Sequence, residues 1–286
     1  VTVDRARGID TLNATFTPYL SGTGATRFLW DFADGTDGEV RTDASAVYHV
    51  FTEPGQYTVT LTVKDGSDNV LGTATCSVEI VSGTIYVDPA SPSPKPPYGK
   101  PTEAAHTIEA ALAVASDGCT IRIASDTYRP AAAISVDANV TVESISGNRD
   151  DVVVDGQKLH GVFILNKPGA RLRNLTVTGG KGHGVEMHGG VLENCRVTDC
   201  VQSGSFGVGV WNDGGQVLDC LIDGNQGKDH FTGAGIYQQG ADALIDRCVI
   251  TNNTSSRAYG NRNGTDGRLG LGADRLEGDT GNGPDL

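Results

Sequence analysis

The most constraining feature of this chain is a motif that recurs at nearly even spacing through its second half. Four segments open with Gly followed by a small or branched apolar residue: Gly161-Val-Phe-Ile-Leu165, Gly184-Val-Glu-Met-His188, Gly207-Val-Gly-Val-Trp211 and Gly233-Ala-Gly-Ile-Tyr237. Their starts lie 23, 23 and 26 residues apart. A second set keeps step with the first: Asn174-Leu-Thr-Val-Thr178, Asn194-Cys-Arg-Val-Thr198, Asp219-Cys-Leu-Ile-Asp223 and Arg247-Cys-Val-Ile-Thr251. One period therefore holds short strands, a polar bend and glycine-rich turns, which describes one coil of a solenoid. A single coil cannot bury its apolar face, so neighbours must stack, with like positions one above another at ~4.8 Å. The expected core columns are Val162, Val185, Val208 and Ala234, and then Leu175, Cys195, Cys220 and Cys248.

Composition agrees. The 286 residues include 39 Gly, only 6% are aromatic, and 20% are charged. That mix favours an all-β protein with many tight turns over a helical bundle. The net charge of −13 argues against nucleic acid as a partner, since phosphate binding needs clustered Lys and Arg. It would also repel an anionic polysaccharide unless Ca²⁺ or a local basic patch intervenes. No apolar run approaches the ~18–20 residues of a membrane span, so no membrane insertion is expected. No leader peptide is visible at Val1, as in a mature or trimmed chain. The six Cys form no CxxC and are not spaced as zinc pairs; the stacked ones read as free, buried thiols.

Residues 1–82 show a different pattern. Ala14-Thr-Phe-Thr17, Arg27-Phe-Leu-Trp-Asp-Phe32 and Tyr57-Thr-Val-Thr-Leu-Thr-Val63 alternate with period 2, and turn signals separate them. Short strands at this spacing imply a β-sandwich. Trp30-Asp-Phe-Ala-Asp-Gly35 and Tyr48-His-Val-Phe-Thr-Glu-Pro-Gly-Gln-Tyr-Thr-Val-Thr-Leu-Thr-Val63 resemble the signature runs of the PKD (polycystic kidney disease repeat) domain, with Ala33 in a usual Gly place and Phe51 in a usual Tyr place. The resemblance implies an Ig-like spacer of extracellular or cell-surface proteins, with Trp30 and Tyr57 in its core.

A Pro-rich segment, Asp88 to Pro97, reads as extended and exposed. An amphipathic pattern follows from Thr102 to Ser116, with Ile108, Ala111, Leu112 and Ala115 on one face and Thr102 as N-cap. Cys119-Thr-Ile-Arg-Ile123, Ile134-Ser-Val136, Val140-Thr-Val142 and Val152-Val-Val-Asp155 read as the first coils. The run from Ile85-Tyr-Val-Asp88 through Thr107-Ile-Glu-Ala-Ala-Leu112 to Thr127-Tyr128 resembles the cap and first coil of pectate-lyase-like parallel β-helix proteins. In that family a helix plugs the open end of the core. The expected fold is thus all-β: an Ig-like sandwich over residues 1–82, then a right-handed parallel β-helix with an N-terminal capping helix over 83–254. From about Ser255 the repeat fails, and residues 255–286 read as an irregular or disordered Gly/Asp-rich tail. Three G-x-D steps, Gly264 to Asp266, Gly272 to Asp274 and Gly283 to Asp285, lack the regular spacing of a calcium-binding β-roll. A stack ending near Asn253 without a cap would leave an edge open to self-association.

Chemistry points to one outward face. The fifth residue of each Gly-led strand, Leu165, His188, Trp211 and Tyr237, would form an external stripe of mostly ring side chains suited to sugar faces. The preceding turns hold Lys158 and His160, Lys181 and His183, and Asp229 and His230, with Glu186 nearby. A polysaccharide lyase needs a base beside a uronate carboxylate and a cation, sometimes Ca²⁺, to neutralise that carboxylate. Lys181, His183 and His188 are the catalytic candidates. Trp211, Tyr237, Glu186, Lys158 and His160 are the carbohydrate-binding candidates, and Arg171 and Arg173 could add positive charge. No metal-ligand set stands out, and no lyase signature is matched. The paired-carboxylate motifs of hydrolases are not assembled around Asp199, Asp213, Asp219, Asp223 or Asp229. Two functions fit. One is an extracellular polysaccharide-associated protein that binds, and as a lyase cleaves, a glycan. The other is a non-catalytic adhesin or self-assembling fibre protein.

Overall fold

The computed structural model describes residues 1–203, 207–228, 234–240, 243–255, 268–269 and 275–277. The chain divides into two compact units, Val1–Gly83 and Thr84–Leu286.

The first unit is a sandwich. One sheet holds Thr2–Val3, Leu12–Thr17 and Val47–Phe51; the other places Arg7–Ile9, Val70–Val81, Gly55–Lys64, Arg27–Asp31 and Glu39–Arg41 side by side in that order. Alternation turns Leu12, Ala14, Phe16, Phe28, Trp30, Val59 and Leu61 into a shared core. Trp30 is buried, its ring 6.0 Å from that of Phe16. Tyr57 packs at the core margin, and its hydroxyl donates to the Glu53 carbonyl at 2.8 Å. The signature run earns its residues here. Asp34 accepts from the Thr36 backbone and hydroxyl and pairs with His49 at 2.7 Å, while His49 stacks on Phe32 at 3.7 Å. Burial alone would raise the Asp34 carboxyl, but the hydrogen bonds from Thr36 and His49 outweigh it and hold the group below the ordinary carboxylate value. Its contribution to stability is therefore present above the ordinary carboxylate range and lost as the pH falls below it.

The second unit is the β-helix. Each coil runs through three main faces of parallel strands, and the later coils add a short fourth sheet of Val201–Ser203, Gln226–Lys228 and Thr254–Ser255. Face I includes Thr84–Val87, Thr120–Ile123, Thr141–Ser144, Arg171–Arg173, Val191–Glu193, Gln216–Leu218 and Leu244–Asp246; face II runs from Asp126–Tyr128 to Val249–Thr251; face III holds Ile134–Val136, Phe163–Leu165, Val185–Met187, Val210–Asp213 and Ile236–Gln239. In-register pairing builds one inward column on face I from Ile85, Ile121, Val142, Leu172, Leu192, Val217 and Ile245. All of these are buried. Leu175, Cys195, Cys220 and Cys248 form the expected column at the bend between faces I and II.

The expected columns on face III slip. Phe163, Val185, Val210 and Ile236 are partners, 22, 25 and 26 residues apart, rather than Val162, Val185, Val208 and Ala234. Gly207-Val-Gly-Val210 offers the same motif at two positions, and the apolar run Gly161 to Leu165 does not mark its own inward face. Leu165 consequently points into the core and is buried, so it leaves the external stripe.

The bends repeat a backbone device. Asn174, Asn194, Asp219 and Arg247 all take left-handed φ values between 46° and 58°, which Asn and Asp tolerate best. The side chain of Asn194 donates to Asn174 at 2.8 Å, but Asp219 breaks that ladder and pairs with Arg247. A fully buried amide ladder stands at the next bend. Asn225 Oδ1 accepts from the Cys200 backbone at 3.1 Å, and Asn253 Oδ1 accepts from Asn225 Nδ2 at 2.8 Å.

The capping helix is shorter than its pattern. It spans Ile108–Val114, and its N-cap is Thr107, which accepts from the Ala110 backbone at 3.2 Å, rather than Thr102. A 3-10 turn, Pro101–Glu103, precedes it because Pro101 favours the start of a helical turn. Ile108 and Ala111 are buried in the β-helix core, with Leu112 and Ala115 packed beside them. The Pro-rich segment is pinned rather than free, through Lys95 N to Glu103 O and the Ser91 hydroxyl to Thr102 O, both 3.1 Å. Past Asn253, Arg268–Leu269 pairs with face I and Arg275–Glu277 with face II, adding a rung where too few apolar residues exist to mark strands. The G-x-D steps lie outside the described residues.

Two results are expected. Ala33 takes φ 58° where the PKD signature carries Gly, so Ala33→Gly stabilises the sandwich by about 1 kcal/mol in denaturant unfolding. Burial pushes the Cys195 and Cys200 thiols up to about 12. Cys76 is the half-buried exception among six thiols, so a thiol reagent modifies it first in the native protein, and Cys76→Ser removes that early phase.

Candidate functional site

Outward side chains on faces I and II neutralise one another. Face I carries Arg173–Glu143 and Arg171–Glu193 pairs, and face II carries an Arg196–Asp223 pair closed by two bonds of 2.8 and 2.9 Å. Arg171 and Arg173 thus lie on face I and add no charge to face III. Asp199 and Asp219 are held by Lys158 and Arg247.

Face III is built differently. Its central outward column is Ser135, Ile164, Glu186, Trp211 and Tyr237, each paired in register with the next. Ile164 thus holds the place expected for Leu165. His188 stands one alternate position along, in step with Asp213 and Gln239. Its ring meets Trp211 edge-on at 5.2 Å, and its Nε2 lies 3.0 Å from Glu186 Oε1. On the other flank the His183 ring lies 6.1 Å from Trp211. His183 Nδ1 is 2.7 Å from Gly207 O. A carbonyl only accepts, so Nδ1 carries the hydrogen and the neutral ring presents its lone pair at Nε2. Lys181 is exposed beside it. Lys181, His183 and Glu186, with Ala133 and Ile164 beneath, line an open recess of about 260 Å³.

Strand pairing and the turn at 181–183 thereby gather Lys181, His183, Glu186, His188, Trp211 and Tyr237 on one face. Lys158 and His160 are engaged elsewhere. The Lys158 ammonium binds Asp199 at 2.9 Å, and the His160 ring nitrogens lie 2.6 and 2.9 Å from the carbonyls of Gly161 and Pro130. Asp229 and His230 lie outside the described residues. Ile164, Asp213 and Gln239 join the face unanticipated; strict alternation from Trp211 would have found the last two. No group of three or more His, Cys, Asp or Glu converges among the described residues, and Glu186 is engaged by His188.

Comparison with known families agrees with the fold. Residues 5–80 match the family model of the PKD domain, and residues 132–266 match that of the right handed beta helix region. The chain carries a PKD domain followed by a right-handed β-helix. No curated protein matches it. Among solved structures it is similar to a pectin methylesterase from Aspergillus niger, with 13% identity and a TM-score of 0.37, over 71% of this chain and 90% of that one. No helix among the described residues is long and apolar enough to cross a membrane.

The two Trp residues report on the two units separately, since Trp30 is buried and Trp211 faces outward. Acrylamide is expected to quench the native protein partly and Trp211→Phe scarcely at all. Equal quenching of the two proteins would place Trp211 away from solvent.

Proposed function

We propose that this is an extracellular polysaccharide-binding protein whose glycan lies along face III, across successive coils. The observation that supports it most is the Glu186, Trp211 and Tyr237 column flanked by His183 and His188. Rungs repeat at ~4.8 Å, close to the length of one pyranose residue, so each coil can meet one sugar. Ring faces take the apolar C–H faces of sugars, and the carboxylate and imidazoles take hydroxyls. The PKD domain supports an extracellular setting.

The same face holds the groups an eliminating lyase uses. Lys181 can neutralise a uronate carboxylate, despite the chain's net charge of −13. His183 Nε2 takes the proton from the carbon beside that carboxylate. The electron pair forms the ring double bond as the glycosidic C–O bond breaks, and the departing oxygen takes a proton from solvent.

Titration with a panel of uronic-acid and neutral polymers, followed by Trp fluorescence, tests the reading. Trp211→Ala is expected to weaken binding roughly 3- to 10-fold. For a polymer that is cleaved, unsaturated product absorbs in the ultraviolet, and His183→Ala lowers its rate ~100-fold or more with binding retained. Binding without product removes the lyase step and leaves an adhesin. Binding to no polymer overturns the proposal.

A further inference from the structure

The sandwich carries a second surface, at the edge of its larger sheet. There Val70–Val81 lies between Gly55–Lys64 and Arg7–Ile9. Arg7–Ile9 pairs only with the end of that strand, Glu79 to Val81. Among the described residues, the outer edge from Gly72 to Ser77 has no strand beside it, and no loop backbone bonds to it. Natural sheets protect such edges with charge, proline or a bulge. Gly72-Thr-Ala-Thr-Cys-Ser77 has no charge and no proline, and the hairpin's bulge falls before it, where Val63 faces Gly72 and Lys64 faces Val70.

The side chains there are small. Gly72 and Ala74 leave an open groove of about 470 Å³, whose lining includes Tyr19, Leu20, Leu61 and Leu71. Beside it Tyr19 is 73% exposed, Val70 57% and Leu71 51%. This edge leaves both unpaired backbone and apolar side chains in water.

We propose that this edge pairs antiparallel with the same edge of a second copy of the chain, with Ala74 on the two-fold axis. A two-fold antiparallel contact sets the free N–H groups of one strand against the free C=O groups of its twin. With that axis Gly72 faces Cys76 and Thr73 faces Thr75, a favourable cross-strand pair. Two five-stranded sheets become one of ten. Charge also selects the site: copies with a net charge of −13 repel over most of their surface, and an uncharged edge is where they can meet.

Light scattering of the full chain is expected to give a mass twice 29.8 kDa, dissociating on dilution. Thr73 and Thr75 point outward and are exposed. The double variant Thr73→Lys with Thr75→Lys should give the single-copy mass, while the unfolding of the sandwich stays unchanged. In a Cys76→Ala background, Ala74→Cys should cross-link to its own copy on mild oxidation, a readout that does not depend on the Lys variant folding. A single-copy mass up to millimolar concentration, a dimer that survives the Lys pair, an uncross-linked Ala74→Cys or open-ended aggregates would each overturn the proposal.

Discussion

Backbone pairing between successive coils is the constraint on which the β-helix unit depends. Each rung of face I, II or III hydrogen-bonds to the rung before it in parallel register, and the registers carry over several coils without a break. Columns of like side chains follow from that alone. Inward they become a core made mainly of Val, Leu, Ile and Cys. Outward they become rows of identical spacing, so a functional group placed on one coil is presented at a fixed rise from the next. Left-handed bends at Asn174, Asn194, Asp219 and Arg247 let the chain turn between faces without disturbing the register, and the buried amides of Asn225 and Asn253 satisfy the backbone where it turns again.

Those rows explain why the candidate site falls on face III. Faces I and II use their outward rows for Arg–Glu and Arg–Asp pairs, which contribute little individually to stability and leave small net charge. Face III carries rings, imidazoles and a carboxylate instead. The His183 ring is oriented by Gly207, and His188 by Glu186 and Trp211. Side chains held by neighbours in this way need less ordering when a ligand arrives, which favours binding.

Much of this was legible in the sequence, and the misses have physical causes. The sandwich could be read because Trp30, Asp34 and Tyr57 occupy fixed places in a signature run. The coils could be read because Asn174, Asn194 and Asp219 mark bends at regular intervals. Register on face III could not, since a two-residue slip at Gly207-Val-Gly-Val210 keeps the same faces and costs nothing in pattern. Leu165 and Ile164 exchanged places for the related reason that five apolar residues in a row have no visible polarity. Lys158 and His160 lie near the site in sequence yet bind Asp199 and two carbonyls, and the contacts to Asp199 and Pro130 come from other coils and leave no local trace. The Thr107 cap was obscured by Thr102, a residue type equally good at capping that instead lies inside the proline-led turn.

The central claim is that a glycan lies along face III and nowhere else on the β-helix. Hydrogen–deuterium exchange of the full chain, with and without an oligosaccharide from any polymer that it binds, tests this most directly. The account predicts added protection at residues 181–188, 210–213 and 236–239, with 171–173 on face I and 196–198 on face II unchanged. Protection confined to faces I or II, or to the sandwich, would contradict it.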